Sequence, residues 1–484
     1  MKANEFSSHF EKLDTSGLEG LRVAVIGGGI AGLSAAWELR RQLGPNARIL
    51  LTEAYDRLGG KLKTVNYANG PVDMGAEAYL GFRSDFTELI ESVGLGDQLC
   101  VPSGLPSGFF VDGALVDIPR RTLMGTPSRG KDVVEVVGAA GAARVDAERN
   151  GQPMTWTPGQ DTSVGQLVEA RLGRIVVDRL VSPLLGGVYS CNAFDLGVRA
   201  TLPQLAEELD RRGSAGEPFF LVDAVDSILS QRPAPQKEAN GTKPKPVFRS
   251  LKGGYASLVD ALVRHADPEV LRNTGVESIG RTRNGYYIDP IGEFDAVIVA
   301  TPAPTASAIL QYMAPTAAEV LGEIDLASSV VVGMRMASSH GIPERSGVLL
   351  GNDAPTEAKA FTFSSRKWPH LAERGGAFVR ASFGSFDNPW HLDVDNRALL
   401  SFAVEDLERI TGERKNPEEY FVQRWWGGLP RYGVGYMEAI SQAYDEVLGI
   451  RGLALAGSML NGVGVPATAA SGVEAAREII REMA

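Results

Sequence analysis

Six residues near the amino end, Gly27, Gly28, Gly29, Ile30, Ala31 and Gly32, have the types and spacing to hold a dinucleotide. In this G-x-G-x-x-G pattern Gly27 permits a tight turn, Gly29 lets a pyrophosphate approach the backbone, and Gly32 lets helix and strand pack closely. Free N–H groups and the positive dipole end of the helix that follows attract the phosphates. The pattern alone is weak. It gains weight from Glu53, about 20 residues further on, a carboxylate placed to accept a hydrogen bond from a ribose hydroxyl.

The residues after Glu53 distinguish one dinucleotide from another. Ala54, Arg57, Gly59, Gly60 and Lys61 follow directly. A nicotinamide dinucleotide does not need this arginine and glycine pair. FAD does, because its ring system extends past the pyrophosphate and must be cradled by backbone; Arg57 can also reach phosphate. Gly75, Ala76, Glu77 and Ala78 form a small-residue turn suited to a flat ring. Near the other end, Val463, Gly464 and Val465 precede Pro466 at the first turn of a helix, a favoured place for proline. That helix start would aim N–H donors at the flavin N1–C2=O edge and favour the anionic reduced ring.

These residues need a frame. Residues 21–26 (LRVAVI) and 47–53 (ARILLTE) read as strands, with a helix over 33–43 between them, a βαβ unit whose crossover is right-handed. Residues 294–300 (FDAVIVA) and 453–456 read as further buried strands, 286–288 as a strand, 258–265 as a helix and 466–483 as a closing helix. From 84 to 208 helices with Gly/Pro punctuation are expected, and 328–336 and 377–383 are strand-like. Residues 232–245 (RPAPQKEANGTKPK) read as an exposed loop. The expected fold class is α/β with α+β inserts. A Rossmann-like FAD-binding domain is assembled from 21–84, 250–306 and 440–484. A substrate-binding domain of mixed sheet with a helical portion (about 85–210) comes from 85–249 and 307–439. Residues 1–20 read as a flexible leader.

The 484 residues, 44% hydrophobic and 22% charged, suit a globular chain of two or three domains. A net charge of −11 argues against nucleic acid as a partner and requires any anionic ligand to find a local basic pocket. Cys100 and Cys191 form no C-x-x-C pair, and the five histidines show no ligand spacing, so reduced thiols and no metal site are expected. No apolar run approaches a spanning helix. The expected location is the cytoplasm; peripheral contact with a membrane stays open.

At this point a resemblance becomes specific. The chain resembles the amine-oxidase-like flavoprotein superfamily and, within it, the porphyrinogen oxidases of haem synthesis, nearly end to end. Residues 183–189 (PLLGGVY) are similar to that family's P-x-x-x-G-V-Y, 202–205 (LPQL) to its F-P-x-L, and 251–255 (LKGGY) to its K-G-G-M/L. Residues 274–276 correspond to a strand whose Val276 backbone meets the adenine. Residues 365–370 (SRKWPH) resemble a segment of bacterial members. Residues 424–432 (RWWGGLPRY) resemble R-W-x-x-A-x-P-Q-Y, which implies that Trp425 lies at the flavin. Arg431 stands where the family has Gln, Tyr436 where His is common, and Ser107 where the plant and animal enzymes carry a basic residue. The last departure favours the bacterial branch that oxidises coproporphyrinogen III over protoporphyrinogen IX oxidases.

The resemblance implies an FAD-dependent oxidase that aromatises a porphyrinogen by repeated hydride transfer to flavin N5, with O₂ as acceptor and H₂O₂ released. The flavin carries the hard chemistry, so no catalytic residue is assigned. The substrate is a wide apolar ring with four carboxylates, which calls for an apolar pocket with a few cations at its rim. Arg83 is the candidate cation, and Gly187 and Tyr189 are candidate walls; Phe361 and Phe363 are either walls or core. A ferrochelatase or another haem-pathway enzyme is a candidate partner, and oligomeric state is unassigned.

Other readings stand beside this one. An amine oxidase of the same superfamily typically places a lysine near flavin N5 on the strand equivalent to 328–336, which has none here. Such enzymes often hold flavin through a carboxyl-terminal cysteine, also absent, so FAD is expected to bind non-covalently. A carotenoid desaturase would show a more apolar docking surface. A porphyrin-binding flavoprotein without turnover belongs to a different class again.

Overall fold

The computed structural model describes residues 11–232 and 246–484. The chain divides into two compact units. Among the described residues, one comprises 11–101, 246–325 and 438–484; the other, 102–232 and 326–437.

The first unit is built on a five-stranded parallel sheet in the order Glu269–Leu271, Arg48–Thr52, Arg22–Ile26, Ala296–Val299, Leu453–Leu455. Its three central strands are continuous apolar runs because both faces are covered. Helices Ile30–Leu43, Tyr255–Ala266 and Val465–Met483 belong to the same core: Leu33, Leu39, Leu258, Leu262, Ile479 and Ile480 are all buried in one cluster with Val23, Val25 and Ile298. Gly472 marks how closely two of these helices approach, since a Cβ there would sit 1.9 Å from the Ala31 carbonyl oxygen. At the same contact Glu38 and Arg477 form a buried ion pair.

The second unit carries a seven-stranded mixed sheet in the order Glu419–Pro430, Leu326–Met336, Ala377–Phe383, Ala360–Thr362, Gly347–Leu350, Ser107–Val111, Ala114–Asp117. Its pairs are antiparallel except Gly347–Leu350 with Ser107–Val111. One face packs Val330, Val332, Phe361, Val379, Ala381 and Phe383 against Leu399, Ala403 and Leu407 of helix Asn396–Thr411. A cluster of helices between Val134 and Ser230 completes the unit. The fold class is α/β, with a parallel Rossmann-like sheet and a separate mixed sheet.

Several expectations need correction. The 84–208 stretch is not purely helical: Ser107–Val111 and Ala114–Asp117 form a hairpin at the edge of the mixed sheet, turned at Asp112 and Gly113, which both take positive φ. Residues 85–101 fall in the first unit because Phe86, Leu89 and Ile90 of helix Ser84–Ser92 join its core. Residues 307–325 fall there too: Ala317 N–H donates to Glu446. Of the expected leader, residues 1–10 lie outside the described residues. The rest is anchored, with Leu13 N–H donating to Gln42 Oε1 (3.0 Å) and Leu18 buried. Most of the expected exposed loop, 233–245, also lies outside the described residues. Among the described residues no helix is long and apolar enough to cross a membrane.

Candidate functional site

The glycine turn sits at the carboxyl ends of the central parallel strands, where ligands bind in open α/β sheets. Gly27 N–H donates to Thr52 O (2.9 Å), and its φ of +112° suits only glycine. A Cβ on Gly27 would lie 2.5 Å from Ala300 O, and one on Gly32 would lie 1.9 Å from Gly27 O. Those two glycines are required by the protein itself. Gly29 is different. Its φ is −74°, open to any residue, and a Cβ there would meet nothing nearer than Gly60 Cα at 4.0 Å. The space beside Gly29 is a cradle for something other than the chain.

Gly59 and Gly60 form the opposite lip. Gly59 N–H donates to Gly28 O (2.8 Å), and Gly29 and Gly59 make a β-bridge. Arg57 keeps this lip in shape: its guanidinium donates to the carbonyls of Leu62 (3.0 Å), Leu58 and Gly60. The guanidinium thus braces the backbone of the lip. Burial pushes its pKa down. Glu53 is buried, its Oε2 accepting from Gly28 N–H and its Oε1 from Tyr55 N–H, each at 3.0 Å. Those bonds fix the carboxylate at the strand end and leave it further lone pairs. Ala54 and Lys61 are exposed beside it. Thr274 N–H donates to Glu53 O (3.0 Å). The strand expected at 274–276 is Glu269–Leu271 instead; the chain leaves the sheet there to bond Glu53 and Tyr55, and Val276 lies in the loop that follows.

Two helices begin at this end of the sheet. Ile30–Leu43 starts at Gly29 and Val465–Met483 at Gly464, and neither has a capping side chain or an acidic residue in its first turn. Their first N–H groups are the orphan donors that anions seek. The 457 turn is held by Gly457 N–H donating to Ser471 Oγ (2.9 Å). Thr301 lies between the two glycine turns. Its Cγ2 would be 3.4 Å from a Cβ on Gly27, and its carbonyl 3.7 Å from one on Gly457. Its Oγ1 is buried with no hydrogen-bond partner among the described residues. The cradle, the open donors and this orphaned hydroxyl together fit a bound dinucleotide.

Gly75, Ala76, Glu77 and Ala78 leave strand Gly70–Asp73 as an irregular, half-buried segment, held where Ser250 Oγ donates to Glu77 O (2.6 Å). Asp73, just before them, has a role that sequence did not disclose. It accepts from Tyr255 N–H (3.1 Å) and from Thr64 Oγ1, and so caps helix Tyr255–Ala266. The capped turn places Gly254 at φ +72°, where a Cβ would meet Thr64 and Asp73 within 3 Å. The signal was present as the Gly253-Gly254 pair. Val463 is half-buried in the turn ahead of the last helix.

Arg83 has a partner: its guanidinium forks onto Asp85, two residues away (Nε to Oδ1 2.9 Å), at the start of helix Ser84–Ser92. A substrate carboxylate would have to compete with Asp85. In the second unit Gly187 is exposed on helix Ser182–Tyr189, with Leu349 the nearest neighbour of an added Cβ at 3.8 Å. Tyr189 ends that helix half-buried, and burial pushes its pKa up to about 12. Trp425 is half-buried opposite Ser329, while Trp426 is exposed. Phe361 and Phe363 are core. Cys100 and Cys191 are both free thiols. The described residues contain no cluster of metal-ligand type.

Residues 30–480 match the family described as flavin-containing amine oxidoreductases. The chain is 36% identical over 464 residues to the coproporphyrinogen III oxidase of Mycobacterium bovis, covering 95% of this chain and 97% of that one. It is 28% identical over 474 residues to the Staphylococcus aureus enzyme of the same name, covering 95% and 99%. A solved structure from Exiguobacterium sp. 255-15, provisionally named a protoporphyrinogen oxidase, superposes with a TM-score of 0.81 at 28% identity, over 96% of this chain and 100% of that one.

Proposed function

The chain belongs to the flavin-containing amine oxidoreductase family, and from that premise we propose the function its site supports best: it is a coproporphyrinogen III oxidase of haem biosynthesis. Likeness over nearly both full lengths to enzymes named for that substrate carries the proposal. The cofactor is FAD, held non-covalently. When bound, FAD supplies the two-electron acceptor that a porphyrinogen methylene needs and returns those electrons to O₂.

The chain's own residues bind and orient. Glu53, fixed by Gly28 N–H and Tyr55 N–H, offers its carboxylate to a ribose hydroxyl. The open side of Gly29 admits the pyrophosphate, with the donors of helix Ile30–Leu43 behind it. The donors of helix Val465–Met483 favour negative charge on the ring portion. Gly60, Lys61, Ala76 and Ala78 would line the cofactor's path, with Val276 toward the adenine end. Gly187 and Tyr189 present a flat, non-ionising wall to the macrocycle. Rate enhancement comes from holding the reacting carbon over the ring, which requires no general base.

The test is anaerobic mixing of purified yellow protein with coproporphyrinogen III, protoporphyrinogen IX and a primary amine in turn. Rapid bleaching of the flavin band by coproporphyrinogen III, with the highest kcat/KM of the three in air, is the expected result. Bleaching by the amine alone would overturn the proposal.

A further inference from the structure

Two of the departures from family pattern, Arg431 and Tyr436, meet in the second unit at one turn. Tyr436 stacks on Tyr432 with ring centroids 4.3 Å apart, and Tyr432 lies 5.7 Å from Tyr189. Tyr432 and Tyr436 are buried, so Tyr189 is the accessible end of a row of three rings. The Arg431 guanidinium sits 4.7 Å over the ring of Phe386, and Phe386 N–H donates to Ser190 O (2.8 Å). Ser190 follows Tyr189 directly and ends its helix in the left-handed region, φ 53°. A non-glycine residue holds that conformation only when its surroundings impose it.

Lys359 holds the Ser190 side chain from the mixed sheet. Its backbone is locked in the mixed sheet, N–H to Ser382 O (2.8 Å) and O from Leu350 N–H (3.0 Å). Its Nζ donates to Gly384 O (2.6 Å) and Ser190 Oγ (3.1 Å). One ammonium thus ties the end of helix Ser182–Tyr189 to the end of strand Ala377–Phe383. The residue as a whole is half-buried, but its charged end is enclosed, and burial pushes its pKa down to about 8 against the opposing field of Asp387. A staple needed for stability alone is better made from apolar side chains than from an enclosed cation.

We propose that Lys359 is a positioning residue for substrate: by pinning Ser190 to Gly384 it fixes Tyr189 as the wall against which the macrocycle lies. This rests on the porphyrinogen reading above and on Tyr189 as part of the pocket.

The test compares Lys359→Met, Lys359→Arg and Ser190→Ala with the wild-type holoenzyme, all brought to equal flavin content. The wild type is read first; a wild type inert to coproporphyrinogen III overturns the porphyrinogen reading, and this inference with it. Given an active wild type, Lys359→Met is expected to raise KM for coproporphyrinogen III about ten-fold with kcat changed less than about two-fold, the pattern of lost uniform binding. Lys359→Arg, which keeps a donor there, is expected to recover most of the loss. An unchanged KM in Lys359→Met overturns the role of Lys359 while leaving the function intact, as does an equal loss in the Met and Arg variants. Should Lys359→Met fail to fold, Ser190→Ala decides: KM raised several-fold supports the pin, and KM unchanged removes it.

Discussion

Glu38 Oε1 accepts from Arg477 Nε at 2.8 Å, with both side chains almost wholly excluded from solvent, 439 positions apart in the chain. Glu38 also accepts from Arg41 (2.7 Å) and Gln42 (2.9 Å) on its own helix. This carboxylate joins the two helices whose amino ends face the cradle. Glu38→Ala removes one member of this buried ion pair. The expected cost is about 3–5 kcal/mol, read as a lower denaturation midpoint with unchanged m-value.

The two glycines of the turn should separate stability from cofactor binding. Gly32→Ala drives a Cβ into the Gly27 carbonyl and is expected to abolish soluble folded protein. Gly29→Ala meets only open space and a permitted backbone. It should cost the apoprotein at most about 1 kcal/mol, the scale of a changed helix cap, yet purify nearly colourless. A yellow Gly29→Ala protein with normal FAD affinity would show that the pyrophosphate lies elsewhere.

Glu53→Ala removes the carboxylate offered to the ribose and frees two backbone donors. Loss of a charged hydrogen bond of about 1.5–3 kcal/mol corresponds to FAD affinity weaker by on the order of ten- to a hundred-fold. Flavin release during gel filtration measures it; full flavin occupancy would contradict the assignment.

Glu478 lies against the Tyr444 hydroxyl on the last helix, and burial pushes its pKa up from 4.5 to about 7. Its folded-state pKa exceeds the unfolded one, so folding favours the protonated form. That stability is fully present below about pH 4.5 and is lost as pH rises through about 7. Glu478→Gln keeps a neutral partner for Tyr444 at every pH. The variant is expected to be more stable than wild type at pH 8, by on the order of 3 kcal/mol, with the difference shrinking toward pH 5. Melting curves at both pH values check the sign.

Much of the first unit was legible because its strands are continuous apolar runs and its turns are glycine. Strand Ala377–Phe383 stands where the strand-like run AFVRASF was read. Strand Ser107–Val111 was hidden by flanking prolines and glycines, which resemble helix punctuation until the parallel partner Gly347–Leu350 is seen. At the site, Gly27, Gly32 and Glu53 were readable from type and spacing. Asp73 was not, because capping a helix that starts 182 residues later is a tertiary fact. The same holds for Thr301, known only by its unpaired hydroxyl, and for Lys359, a single lysine in a polar stretch. Arg83 shows the reverse: its charge was visible, but the geometry that pairs it with Asp85 was not.

The contact between the first and last helices also sets a schedule for biosynthesis. A ribosome adding about 5–20 residues per second completes helix Ile30–Leu43 on the order of 20–90 s before Arg477 exists. Until then the core that holds Leu33 and Leu39 lacks Ile479 and Ile480. The mixed-sheet unit can form in the meantime, since its last residues precede the closing helix. The donors of Gly464 and Val465 thus reach the site last of all its parts. Any truncation that removes the final turns should yield a chain whose second unit is folded and whose nucleotide-binding unit is a client for chaperones.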